Sequence, residues 1–166
     1  MAKPTTNAGL ICSILSVILA VGIIIGLIIN SPLVIILLLL PTVIYEAYRT
    51  EGESTRWASW AMLLLIAAEI IMVLFGIKFD VAQYLGASSQ YVAGYHVPLG
   101  DLKVIFPSLL VILSIVLFTR TAGVYTRWLA VLIFIGSFAI VYTLDAAIFQ
   151  QLIRLGINQG LNQINW

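Results

Sequence analysis

From Ala8 to Tyr45 the chain runs for roughly 38 residues without a charged side chain, although about 20 helical residues suffice to cross a hydrocarbon layer about 30 Å thick. The run divides at Asn30-Ser31-Pro32, a turn former, a cap and a proline suited to a first helical position. It therefore predicts two membrane helices joined by a tight hairpin, over 8–29 and 32–48. The second is short for a span, and its internal Pro41 should bend it by leaving a carbonyl one turn back without its donor. Leu10-Ile11-Cys12 has the look of a lipoprotein cleavage site but lacks the apolar stretch that should precede the cysteine.

Three further apolar runs follow. Spans are expected over 57–77, over 103–118 with Pro107 near its start, and from Trp128 as a helix that becomes polar-faced towards 153. Residues 79–102 form the one sizeable connection. Its Tyr84, Tyr91, Tyr95 and His96 suit a segment lying on the membrane surface. The tail, 156–166, keeps Ile157, Leu161 and Ile164 at helical spacing among Asn and Gln, which reads as an interfacial segment. The expected fold is an all-α integral membrane protein, one domain of five transmembrane helices. Only 9% of its residues are charged, against about 25% in ordinary globular chains.

One motif occurs twice. Arg49-Thr50-Glu51-Gly52-Glu53-Ser54-Thr55-Arg56-Trp57 returns as Arg120-Thr121-Ala122-Gly123-Val124-Tyr125-Thr126-Arg127-Trp128, with six of nine positions identical. Each copy joins one apolar run to the next. Gly52 and Gly123 are suited to a left-handed conformation closing the preceding helix, and Thr55 and Thr126 to capping the following one. Arg49, Arg56, Arg120 and Arg127 suit the depth of lipid phosphates, and Trp57 and Trp128 the headgroup boundary. The repetition implies a duplicated helical hairpin, spans two and three matching spans four and five. Convergence is the competing explanation, since any short connector at a membrane surface favours these residue types.

Five crossings place the termini on opposite sides. Lys3, Arg49, Arg56, Arg120 and Arg127 share the side of the N-terminus, against Lys78, Lys103 and Arg154 on the other. Basic residues accumulate on the cytoplasmic side, so the expectation is a plasma or inner membrane with the N-terminus inside and the C-terminus outside.

Glu69 is the leading candidate for chemistry. It lies twelve residues past Trp57, roughly 18 Å into the layer, where a carboxylate costs several kcal/mol unless protonated, hydrated or paired. Ser108, Tyr142 and Thr143 fall at similar depth on spans four and five. Three outcomes stay open: a neutral acid inside the bundle, a proton or cation site, or a contact to another protein. Asp145 falls near the outer boundary, and an interfacial role is expected for it. Glu46 with Arg49, and Glu53 with Arg56, have the spacing of weak surface pairs on a helix.

On the first span Gly9, Ser13, Ser16 and Ala20 share one face, and Gly22 and Gly26 lie on nearly the opposite one. Small residues let helices approach closely in lipid, so two such faces suit a helix between two neighbours. A single cysteine and a single histidine leave no intrachain disulfide, no bis-histidine haem within one chain and no ligand cluster. No nucleophile–base pair or phosphate-binding glycine loop is visible, so neither an enzyme nor a cofactor is expected. A net charge of +1 gives no reason to propose nucleic acid. The expectation is a non-catalytic multi-pass subunit that packs with other integral membrane subunits or with itself. The alternative is a small channel or proton-coupled transporter with Glu69 as the titrating group.

Overall fold

The computed structural model describes residues 7–50, 53–77, 90–92, 95–97, 102–144 and 146; at 53, 54, 90–92, 95–97 and 102 it describes the backbone. Among the described residues five helices follow in order: α1 (Ala8–Ile29), α2 (Pro32–Arg49), α3 (Glu53–Leu74), α4 (Leu102–Arg120) and α5 (Val124–Leu144). Each is long and apolar enough to cross a membrane. Between α3 and α4 lies a short antiparallel pair, β1 (Gln90–Val92) on β2 (Tyr95–Val97), with Tyr91 opposite His96. The expected surface segment thus contains a strand pair, in keeping with the strand preference of Tyr and Val. Lys3, Glu51, Gly52, Lys78, Asp145, Arg154, the extension of the last span to 153 and the tail 156–166 lie outside the described residues.

The division at Asn30 follows from backbone chemistry. Asn30 takes a left-handed conformation (φ 53°), and the Ser31 amide donates to the Gly26 carbonyl at 2.9 Å. This closes α1 in a Schellman-type turn and lets Pro32 open α2. Ser31 makes no side-chain cap, so the proline and the turn start α2 between them. The end of α3 repeats the device with Gly76 (φ 60°) and the Ile77 amide on the Met72 carbonyl.

The connector between α4 and α5 departs from expectation. Gly123 has no positive φ; among described glycines only Gly76 does. Its carbonyl instead accepts the Arg127 amide at 3.0 Å and the Thr126 hydroxyl at 2.8 Å. A Cβ at Gly123 would stand 2.7 Å from Thr126 Oγ1, so the position is small because that hydroxyl folds back over it. Thr126 is therefore a donor to the helix start rather than the acceptor cap expected for it.

α2, α3, α4 and α5 form a ring in which each packs on the next and α5 closes on α2; α1 lies outside, against α2 and α5. The ring is filled by Leu39, Met62, Ile66, Leu110, Leu117, Leu129, Ile133 and Ile140, all fully buried. Outward positions are equally apolar, among them Leu10, Ile28, Leu64 and Leu74. That pattern suits a bundle whose surroundings are themselves apolar. Both connector ends lie at one end of the bundle, since the Arg49 guanidinium stands 5.3 Å from the Tyr125 ring centroid.

Candidate functional site

The buried face of α3 carries Thr55, Ser59, Met62, Ile66 and Glu69, a helical stripe that looks into the ring. Glu69 is fully buried there, against helices of its own chain. Of the groups expected at its depth, Ser108 donates its hydroxyl to the Val104 carbonyl at 2.7 Å, and Thr143 to the carbonyls of Ala139 and Ile140. These are bonds within their own helices, the usual recourse of Ser and Thr in a membrane helix. Tyr142 on α5 is 45% exposed. Ser108 and Thr143 therefore spend their hydroxyl protons within their own helices.

A second carboxyl emerges that the spacing to Arg49 concealed. Glu46 is fully buried, not a surface partner of Arg49. Its Oε1 accepts hydrogen bonds from Thr50 Oγ1 on α2's end and from Ser59 Oγ on α3, the latter at 2.9 Å. Its Oε2 has no hydrogen-bond partner among the described residues. One turn back on the same buried face, Thr42 Oγ1 is likewise without one. Arg49 turns elsewhere, donating to Tyr45 OH at 3.4 Å and covering the Tyr125 ring. Thr42, Glu46 and Thr50 recur every fourth residue, and Thr55 and Ser59 do the same across the connector. That polar stripe was the available signal.

Glu46 meets α3 at Ser59, and Glu69 lies ten residues further along the same helix, about 15 Å at 1.5 Å per residue. Met62 and Ile66 fill the interval. The bundle thus holds two carboxyl levels separated by an apolar layer. Compared with protein-family models, curated proteins and solved structures, the chain matches none. Among the described residues no group of three His, Cys, Asp or Glu is placed to hold a metal ion.

The first span keeps one of its two small-residue faces inside. Gly22 and Gly26 are buried against α2, where an added Cβ would come within 2.7 Å of Leu38 and 2.3 Å of Ile35. On the other face Gly9 approaches Tyr125, and Ser16 accepts the Trp128 indole N–H at 2.9 Å while donating to the Cys12 carbonyl. Ser13 and Ala20 are exposed. Trp128 is thus a tie between α5 and α1 as well as a half-exposed ring, whereas Trp57 is 78% exposed. Arg56, Arg120 and Arg127 are exposed at the connector end, and Arg127 Nε donates to the Thr121 carbonyl at 2.8 Å. An open apolar groove of about 200 Å³ lies between α4 and α5, lined by residues such as Ser114, Phe118 and Phe134. Neither carboxyl reaches it.

Proposed function

We propose that this chain is a small multi-pass membrane protein that passes protons through its own helical ring, as a channel or proton-coupled transporter, with Glu69 as the titrating group. The observation that carries this is the complete burial of Glu69 on the inward face of α3. Ionisable side chains inside a membrane bundle are costly to keep and concentrate on ion and proton pathways. An acid serving to dock another protein would face outward.

The duplicated-hairpin reading adds support. At the 71-residue offset of the repeated motif, helices end at Arg49 and Arg120 and begin at Glu53 and Val124. The same positions face inward: Leu39 and Leu110, Met62 and Ile133, Glu69 and Ile140. Parallel repeats of this kind build many transporters. Only the first hairpin has an acid at these positions, Glu69, which suits a pathway along one seam of the ring.

The test is flux. Purified protein in liposomes loaded with a pH-sensitive dye should dissipate an imposed proton gradient, and Glu69→Gln should assemble normally and abolish the flux. Wild-type protein that leaves the gradient intact, or a Glu69→Gln variant that conducts as well as wild type, overturns the reading. A second reading, a non-catalytic subunit of a larger membrane assembly, is favoured by the exposed Ser13 and Ala20 on α1. Such small residues permit close approach of another helix. Co-migration with a stoichiometric partner after gentle extraction, with no flux of its own, would select it.

A further inference from the structure

We propose that Glu46, Thr42, Thr50 and Ser59 form a binding site for a small monovalent cation at the connector end of the α2–α3 seam. The starting point is which polar atoms lack an internal partner. The hydroxyls of Ser13, Ser16, Ser108, Ser114, Thr119, Thr121, Thr126 and Thr143 all donate to carbonyls of their own helix or connector. Thr42 and Ser137 do not, although each sits on a helix and is fully buried, and of the two it is Thr42 that shares a helix face with a carboxyl. The Thr42 oxygen lies one turn from Glu46, on the same face, where side chains four apart are neighbours. Glu46 Oε2 is the other buried oxygen in the seam without a hydrogen-bond partner among the described residues. Thr50 meanwhile holds the carboxyl by its Oε1, with Ser59 sharing its one hydroxyl proton between that oxygen and the Thr55 carbonyl, which leaves Oε2 oriented and available.

The donor set chooses the ligand class. Carboxylate and hydroxyl oxygens are hard donors that suit hard cations, whereas sulfur and imidazole, the ligands of softer metals, are absent from the four residues. One carboxylate supplies one negative charge, which a single positive charge neutralises; a divalent ion would leave the buried site charged. Arg49 does not fill that role, since its guanidinium is held at Tyr45 OH and over the Tyr125 ring. The corresponding positions of the second hairpin carry Leu117 and Ala130, both buried, in place of Glu46 and Ser59. An apolar pair is therefore compatible with this kind of helix–helix contact, and the carboxyl of the first hairpin is not required for packing alone. That comparison leans on the hairpin duplication; the site itself does not, nor does it depend on transport.

Binding is read on the solubilised protein, without flux. Thermal unfolding in detergent at fixed ionic strength, with sodium replacing choline, should give a midpoint that rises with sodium, with lithium and potassium reporting the size preference. Glu46→Gln should lose the sodium response, and Thr42→Val should weaken it. The double variant Glu46→Leu/Ser59→Ala, which copies the second hairpin, should fold and show no response to sodium. A midpoint indifferent to sodium, lithium and potassium in the wild type overturns the proposal, as does a sodium response that survives in the double variant. A midpoint that moves with pH but not with these cations also overturns it, and assigns the site to a proton. Sodium-dependent stability without proton flux would leave this site standing while sinking the transport reading.

Discussion

Replacing Gly22 with alanine tests one of the close contacts between α1 and α2. The new Cβ would stand 2.7 Å from Leu38 Cβ and 2.8 Å from Leu38 Cδ1. Carbon atoms settle about 3.5–4.0 Å apart, so the overlap is roughly 1 Å. Leu38 Cδ1 can swing away by a change of rotamer. Leu38 Cβ cannot, being bonded to the backbone, so α1 and α2 must separate. Overpacking of this kind costs about 1–3 kcal/mol, and alanine recovers up to about 1 kcal/mol through its better helix propensity. The expected net loss is about 1–2 kcal/mol. Gly9→Ala is the internal control: its Cβ would meet Tyr125 Cε1 at 3.5 Å, an ordinary contact, so the change should be neutral or slightly stabilising. The assay is unfolding in mixed detergent micelles, followed by tryptophan fluorescence, with both variants measured against wild type. If Gly22→Ala proved as stable as Gly9→Ala, the close α1–α2 approach, and the reasoning from it, would be refuted.

Two further outcomes follow from the same geometry. Trp128→Phe keeps the ring but loses the N–H that Ser16 accepts, and should lower stability by about 1 kcal/mol in the same unfolding assay, with Ser16→Ala adding little on top of it. Single cysteines at Trp57 and Trp128, in a Cys12→Ala background, should react with a membrane-impermeant maleimide from one and the same side of sealed vesicles, because both connectors sit at one end of the bundle. Labelling of the two from opposite sides would contradict the bundle as described.

The chain's own order made several features legible. Long uncharged runs can satisfy their backbone in an apolar medium only by forming helices, and Asn30 with Pro32 marks where one must end and another begin. Glu69 could be singled out because charge in such a run is rare whatever surrounds it. Glu46 could not, because a carboxyl three residues from an arginine near a helix end has the same local pattern whether it lies at a surface or in a core. Which it is depends on rotation of α2 about its axis, and that is set by packing against α3 and α5. The same holds for Gly123, small because Thr126 folds over it and not because of a left-handed turn.

Sequence alone thus determined that there are five apolar helices, roughly where they begin and end, and that two of the joints between them are alike. These properties depend on residues close together in the chain, through hydrophobicity, helix propensity and turn chemistry. Tertiary structure alone decided which side of each helix turns inward, that α2 to α5 close into a ring with α1 outside, and that Glu46 shares a buried seam with Ser59. Those depend on side-chain volumes meeting across helices far apart in the chain, and no local pattern specifies them.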